Sequence, residues 1–206
     1  MTVMSLRPLE NTRINVGDRS DADLMAEIAE GDHVAFTELM ARYKAPLFRF
    51  ILRYVGVNNE AEDLLQDVFV SVFSKAASYD PAWKLSTWIY RIALNKCRDY
   101  GRKQRLRKLV SFTQPESEDE PGAYAPEPVD LGPNVEDIVD RRQEMSRLSA
   151  AIDALPHKMR SALVLHTIEG RSQIECSEIL GVSRKSVEML VYRARKTLRE
   201  KMGYEA

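Results

Sequence analysis

Cysteine and histidine are scarce in this chain of 206 residues, which has two cysteines and three histidines. His33, His157 and His166 are scattered, and two cysteines alone cannot build a disulfide framework or a tetrahedral zinc site. Cys97 and Cys176 each fall inside a helical pattern, where a free thiol packs as a small hydrophobe. We therefore expect no metal site and no cofactor.

Long apolar runs and glycine-rich loops are also missing. No stretch approaches the ~18 apolar residues that a membrane helix needs. The first nineteen residues carry three arginines but no apolar block of the kind found in secretion signals. No glycine-rich phosphate loop, carboxylate pair or nucleophile stands in a recognisable motif. We expect a cytoplasmic protein without membrane insertion that is not an enzyme.

The net charge of −1 conceals a strong segregation of charge along the chain. Residues 91–108 contain eight basic residues and one acidic residue, and residues 184–201 contain seven basic and two acidic residues. Between them, residues 111–137 hold eight acidic residues and five of the nine prolines, with no lysine or arginine. That composition is typical of a flexible linker. One basic helix is usually a solvated face, but two of them around an acidic tether favour nucleic-acid binding.

Apolar residues recur at three- and four-residue spacing on both sides of the acidic segment, and no β alternation appears. In the first half, this pattern predicts a helix capped by Ser20, a longer one after Asp32 that Pro46 should kink, and a third capped by Asn59 with Glu62. A fourth should start near Ser86, with Trp88 facing the core.

The second half predicts two further helices, 138–155 and 157–169, followed by a helix-turn-helix. In this motif Ser172 and Glu175 form a capping box, Gly181 supplies the turn, and Ser183 caps a basic helix over 184–202. The two helices of this motif should pack together through the apolar side chains of Ile174, Ile179, Val182, Val187 and Leu190. The earlier helix, 138–155, should have one apolar face, formed by Met145, Leu148, Ile152 and Leu155. Helical bundles also contain such turns, but the cationic second helix favours DNA binding.

We predict an all-α fold of two small helical domains joined by an acidic, proline-rich linker, with the helix-turn-helix in the C-terminal domain. The predicted boundaries are a disordered N-terminal segment over 1–19, a first domain over 20–110, the linker over 111–137 and a second domain over 138–206.

Five stretches of the chain, in their order and spacing, resemble the extracytoplasmic-function (ECF) sigma factors, which are two-domain bacterial transcription initiation subunits. They are AFTEL at 35–39, EAEDLLQDVF at 60–69, STWIYRIALN at 86–95, DALP at 153–156 and YRARK at 192–196. The resemblance covers about residues 21–108 and 138–202. It implies a subunit that directs core RNA polymerase to promoters in a stress response, under the control of an anti-sigma factor.

The resemblance further implies that the third helix docks on the clamp helices of core RNA polymerase. It also implies that the chain contacts the flap of the polymerase. The implied polymerase contacts are Asp63, Gln66, Asp67 and Val70. An acidic, partly apolar helix face suits a basic helical partner, although by itself such a face is more often simply solvated.

Two surfaces should contact promoter DNA if the resemblance holds. The first domain would open the start-proximal (−10) element, through Tyr79, Asp80, Trp83, Lys84, Ser86, Thr87, Arg91, Asn95 and Arg98. Trp83 is either a loop anchor or a base contact, and Leu85 stands where the family commonly has an aromatic residue. The second domain would read the upstream (−35) element, through Arg184, Lys185, Ser186, Glu188, Met189, Tyr192, Arg193, Arg195 and Lys196.

Two further interpretations remain open from the sequence. The chain could be a helix-turn-helix regulator that acts without being a polymerase subunit, with the first domain as a sensor or dimerisation bundle. It could also be an interaction protein without a DNA partner. Neither explains the acidic helix together with the aromatic and basic segment that follows it.

Overall fold

The structure is a computed structural model that describes residues 19–111 and 135–204. Every regular element within these ranges is helical, which confirms the predicted all-α fold. Residues 1–18 of the predicted disordered N-terminal segment and nearly all of the predicted linker lie outside the described residues, whereas Arg19 is described and contacts Glu38. Within the described ranges, no helix is both long enough and apolar enough to cross a membrane.

Residues 19–111 form four helices and a short turn, which we call the first half. They are α1 (Asp21–Ala29), α2 (His33–Val55), α3 (Asn58–Ser74), a 3₁₀ turn (Ala76–Ser78) and α4 (Leu85–Ser111). Ser20 and Asp23 form the predicted capping box at the start of α1, with both reciprocal hydrogen bonds at 3.1 Å. The Asp32 carboxylate caps α2, which continues through Pro46 and ends where Gly56 adopts a φ of +78°.

The predicted cap of α3 by Asn59 and Glu62 is wrong. The helix begins two residues earlier than a cap at Asn59 implies, at Asn58, and the capping position is Val57, whose side chain has no hydrogen-bond acceptor. Asn58 lies inside the first turn instead, where its Nδ2 donates to Glu62 Oε1 at 3.4 Å. Burial of the apolar face of α3, not a side-chain cap, therefore sets where this helix begins.

The described residues 135–204, which we call the second half, also form four helices. They are α5 (Val135–Asp153), α6 (His157–Leu163) with a wider π turn over Val164–Ile168, α7 (Gln173–Leu180) and α8 (Arg184–Met202). The predicted helix-turn-helix is confirmed in α7 and α8: Ser172 and Glu175 form a capping box. Gly181 has a φ of +65°, and Ser183 Oγ accepts from the Ser186 backbone N–H at 3.2 Å.

Two side chains that were predicted to be inward are exposed. Ile174 on α7 is 49% exposed and does not help to close the helix pair, while Ile179 and Val187 are buried as predicted. Met145 on α5 is 52% exposed although α5 packs on α8, while Leu155, which follows the helix, is buried as predicted. The apolar periodicity here identified a helix face but not how far along the helix the neighbour extends.

The two halves pack against each other. Helix α7 contacts α4, and the π turn after α6 contacts α2. One cluster of buried side chains runs through both halves, from Leu24, Leu39 and Phe50 to Val164, Ile179 and Val187. A smaller cluster of Leu155, Leu163 and Ala194 lies within the second half.

Candidate polymerase and promoter interfaces

An apolar groove lies between α2 and α3. Its volume is about 930 Å³, and Phe36, Met40 and Phe48 of α2 face Leu65, Phe69 and Phe73 of α3 across it. Phe36 contacts Phe69 and Phe73 edge to face, with ring centroids 6.3 and 5.1 Å apart, and His33 stacks on Phe73 at 5.5 Å. An open groove floored by aromatic rings is suited to receive an amphipathic helix.

Three of the four residues that were expected to contact polymerase line this groove. Asp63, Gln66 and Val70 stand on its α3 rim, and Val70 is 65% exposed. Asp67 is exposed but does not line the groove, and its carboxylate lies 3.7 Å from the Lys96 ammonium of α4. The structure therefore brings Asp63, Gln66 and Val70 together around the groove and sets Asp67 beside it.

The groove floor was missed by the sequence analysis. Phe36 and Met40 belong to the apolar stripe of α2, yet both are only partly buried. Phe73 occupies the last turn of α3, where it also lines the groove. The signal that could have found the groove is the set of phenylalanines on two neighbouring helices, Phe36, Phe48, Phe69 and Phe73.

A buried carboxylate holds α1 against α2 beside this groove. The side chain of Glu38 on α2 is fully buried and accepts hydrogen bonds from Arg19, through Nε at 3.1 Å, and from Arg42. Arg42 also donates to Asp21 at 3.0 Å. Burial alone would raise the pKa of Glu38, but hydrogen bonds and charge from Arg19 and Arg42 outweigh it, so this pKa lies below its ordinary value.

The loop before α4 presents an exposed aromatic side chain. Trp83 is 52% exposed, and the Arg91 guanidinium carbon lies 5.9 Å from its ring centroid. The loop is held by Tyr79, whose hydroxyl donates to the Trp83 backbone carbonyl at 2.6 Å. Tyr79 also contacts Trp88 edge to face, and Trp88 packs against the core as predicted. Of the two interpretations of Trp83, its exposure favours a base contact.

The other start-proximal candidates differ in accessibility. Asp80 and Lys84 in the loop are exposed, as are Arg91, Asn95 and Arg98 on one face of α4. Ser86 is half-buried, and Leu85 is only 3% exposed, so it packs in the core and presents nothing to DNA. Thr87 is 2% exposed, and its Oγ1 lies 3.2 Å from Glu178 Oε2 of α7. The structure thus assembles most of this surface but encloses Thr87.

The upstream-reading candidates lie on the exposed side of α8. Its inward residues Val187, Val191 and Ala194 are buried. Arg195 is exposed, and its guanidinium donates to Thr167 Oγ1 at 3.3 Å. The whole predicted set is exposed: Arg184, Lys185, Ser186, Glu188, Met189, Tyr192, Arg193, Arg195 and Lys196.

Both cysteines pack as predicted. Cys97 and Cys176 are fully buried. Burial raises the pKa of the Cys97 thiol to about 12 and that of the Cys176 thiol to about 11, so both stay protonated and unreactive at neutral pH.

Comparison with known proteins identifies the two halves separately. Residues 39–107 match the family model described as Sigma-70 region 2, and residues 145–198 match the one described as Sigma-70, region 4. The first match runs from within α2 to within α4 and includes most of the groove and the Trp83 loop, and the second includes the helix-turn-helix.

Similar proteins extend over most of the chain. The RNA polymerase sigma factor CnrH of Cupriavidus metallidurans is 33% identical over 86% of this chain and 93% of its own length. The ECF RNA polymerase sigma factor SigW of Bacillus subtilis is 32% identical over 85% of this chain and 93% of its own. A solved structure of CnrH in complex with the cytosolic domain of CnrY covers 90% of this chain and 99% of that chain, at 26% identity and a TM-score of 0.62. The chain belongs to the ECF sigma factors of the sigma-70 family.

Proposed function

We propose that this sigma factor contacts its partners through three surfaces on two domains. The α2–α3 groove binds the clamp helices of core RNA polymerase, the Trp83 loop with α4 engages the start-proximal element, and α8 reads the upstream element. The domains are assigned to residues 20–110 and 138–206, joined by 111–137. The observation that carries the proposal is the presence of an unfilled aromatic groove and two separate basic surfaces on one chain.

The polymerase assignment is supported by the chemistry of the groove. Its floor is apolar and aromatic, and its α3 rim carries Glu62 and Asp63. A helical partner with an apolar stripe and basic flanks would bury the floor and pair with the rim. The clamp helices, expected from the family resemblance, are such a partner.

The start-proximal assignment is supported by the placement of Trp83 and Arg91. Single strands are held by base stacking on aromatic rings and by neutralisation of phosphates. An exposed indole beside a guanidinium offers both in one place. The upstream assignment is supported by α8, whose first turns can enter a major groove while its later basic side chains meet phosphates.

We further infer that the protein is a regulatory subunit in the cytoplasm, not an enzyme, and that an anti-sigma factor controls it. The relative CnrH has been solved in complex with the cytosolic domain of CnrY. An inhibitor that fills the α2–α3 groove would exclude polymerase directly, because both need the same apolar floor. A regulator that acts without polymerase has no support from the groove or from the similar proteins.

Reconstituted transcription tests this proposal. With core polymerase and a promoter selected from genomic DNA, the chain should confer promoter-dependent initiation. Val70→Glu places a charge on the groove rim and should weaken polymerase affinity about tenfold, equivalent to about 1.4 kcal/mol. Val34→Glu is the matched control, since Val34 is 49% exposed on α2 and does not line the groove. Equal effects of the two variants, or no initiation with the unaltered chain, would refute the assignment.

A further inference from the structure

A cavity lies between α4 and the second half, apart from the α2–α3 groove. Its volume is about 260 Å³. Four residues of α4 line one side, and the start of α6, the turn between α7 and α8, and α8 itself line the other. The α4 residues are Arg91, Leu94, Asn95 and Arg98. The cavity is therefore assembled from elements that are far apart in the sequence.

The charged part of the cavity lining is cationic. Arg91, Arg98 and Lys158 supply two guanidinium groups and one ammonium group, and no acidic side chain among the described residues lines the cavity. Within the described ranges, neither Arg98 nor Lys158 forms an ion pair with a carboxylate. A cleft lined by charge of one sign concentrates ligands of the opposite sign. An anion in this cavity would meet cations that are not already neutralised.

His157 reports the same positive field. Its ring is half-buried at the cavity, and burial, followed by the charges of Arg98, Arg160, Arg105 and Lys158, lowers its pKa. Cations that disfavour a proton on this ring favour a negative charge placed beside it.

The rest of the lining includes an apolar wall. Leu94 and Ile179 are 7% and 3% exposed, and Val182 and Leu190 are partly buried beside them. An inorganic ion gains nothing from such a wall, whereas the face of a planar base can pack on it. The exposed Asn95 amide offers a donor and an acceptor to the polar edge of a base.

The size of the cavity limits the ligand to a small molecule. The volume of about 260 Å³ corresponds to about nine water molecules at ~30 Å³ each, and pockets for drug-sized ligands begin at about 300 Å³. One base with its sugar suits this volume, and a dinucleotide is too large. A phosphate monoester carries a charge of about −1.5 to −2 near neutral pH, which suits a group of cations at the opening.

We propose that this cavity binds a mononucleotide, with the phosphate on Arg98 and Lys158 and the base against Leu94, Ile179 and Val182. The sequence has no glycine-rich phosphate loop, so the site uses side-chain cations to hold the phosphate.

Nucleotide binding itself does not depend on the proposed function of the chain. The cavity does share Arg91, Asn95 and Arg98 with the surface that we assign to the start-proximal element. A bound mononucleotide would therefore exclude single-stranded DNA from these three residues. Only this consequence rests on the proposed function.

The test uses the full chain without DNA or polymerase. Isothermal titration calorimetry gives the affinities for AMP and GMP, with adenosine and inorganic phosphate as ligands that lack the phosphate or the base. Lys158→Ala and Arg98→Ala each remove one cation from the cavity. Lys75→Ala is the matched control, since Lys75 is exposed at the end of α3 and does not line the cavity. Proton NMR follows the ring signals of the three histidines, of which only His157 lines the cavity.

We expect one mononucleotide to bind per chain, and adenosine and inorganic phosphate each to bind at least tenfold more weakly. Lys158→Ala and Arg98→Ala should each weaken the binding of AMP and GMP about tenfold, because each removes a charge-assisted hydrogen bond. Lys75→Ala should change these affinities less than twofold. Added AMP should shift the ring signals of His157 and leave those of His33 in place.

Four results would overturn the proposal. Inorganic phosphate that binds as tightly as AMP would show that the apolar wall takes no part. Equal losses with Lys75→Ala and Lys158→Ala would show a general attraction to a basic surface, and an unshifted His157 signal would place the ligand elsewhere. Absence of binding at millimolar AMP and GMP would exclude a nucleotide site. None of these results bears on the promoter contacts, because no DNA is present.

Discussion

Glu38 shows how one residue links burial, charge and position. A carboxylate with no exposed side-chain area is costly to ionise unless its oxygens are paired. Here Arg19 and Arg42 approach it from two elements, the segment before α1 and α2 itself. The cluster fixes α1 on α2 and so supports the helix that forms one wall of the groove.

Replacing Glu38 by Gln should lower the free energy of unfolding in a pH-dependent way. The pKa of Glu38 is lower in the folded chain than its ordinary value of 4.5, so its ionised form stabilises the fold above that pH. This contribution is lost as the pH falls through the folded pKa. Urea unfolding should therefore show a clear loss of stability at neutral pH, and a smaller difference from the unaltered chain under acidic conditions.

Glu30→Gln is the control for this measurement, because Glu30 is exposed at the end of α1. It should unfold like the unaltered chain at both pH values. If Glu38→Gln lost as much stability in acid as at neutral pH, the charged cluster would not be what stabilises α1 on α2.

Helix ends illustrate what could be predicted from the sequence. The capping boxes at Ser20 and Ser172 and the turn at Gly181 were predicted correctly, since caps and left-handed glycines depend on a few adjacent residues. The start of α3 was not, because Val57 contributes no acceptor and tertiary packing decides the boundary. Local chemistry is readable from sequence, whereas a boundary set by packing is not.

The groove between α2 and α3 is a second feature that could not be predicted from the sequence, here because it depends on which part of a helix face is covered. Periodicity identified the apolar stripes of α2 and α3 but could not tell which part of each stripe another element covers. Phe36 and Met40 are therefore only partly buried, although they lie on the apolar stripe of α2. What remains uncovered is the part that we assign to polymerase.

Removal of the cap on α7 should destabilise the second half of the molecule. Ser172 Oγ accepts from the Glu175 backbone N–H at 3.2 Å, and Ser172→Ala deletes this acceptor. We expect a loss of about 1 kcal/mol in the free energy of unfolding. Ser177→Ala, inside the same helix, is the control and should be neutral or slightly stabilising. Equal stabilities of the two variants would show that the capping box contributes nothing.

Glu188 should influence which bases α8 prefers. It is exposed near the entry end of the helix, where a carboxylate cannot pair with phosphate but can accept a hydrogen bond from the cytosine N4 amine. Glu188→Arg should therefore change the ranking of upstream promoter variants in a binding assay with the holoenzyme. Glu144→Arg adds the same charge on α5 and should raise all affinities together. An unchanged ranking with Glu188→Arg would remove Glu188 from the readout.

The packing of the two halves is the property of the whole molecule that the sequence did not reveal. Besides the shared apolar cluster, its contacts are single pairs far apart in sequence, such as Arg171 with Tyr90 and Thr87 with Glu178. Nothing in periodicity or charge runs marks them. The basic runs and the acidic segment did indicate two separate basic surfaces, and this part of the prediction is visible in α4 and α8.

His157 makes the packing of the halves sensitive to pH. It lies against the Tyr54 hydroxyl, and burial, together with the charges of Arg98, Arg160, Arg105 and Lys158, lowers its pKa. The neutral form therefore favours the packed arrangement of the two halves, and this contribution is lost as the pH falls below the ordinary value of 6.5. Scattering should show expansion as the pH falls from neutral to about 5.5. His157→Gln should reduce this response, and an unchanged response would exclude His157 as its source.

The central claim is that two separate surfaces of one chain contact two promoter elements while the chain is bound to polymerase. Photo-crosslinking in promoter complexes tests it most directly, with a photoreactive residue in place of Trp83 or of Tyr192. The account predicts that the Trp83 position labels start-proximal DNA and the Tyr192 position labels upstream DNA, both only when core polymerase is present. Labelling of the same element from both positions, or equal labelling without polymerase, would contradict it.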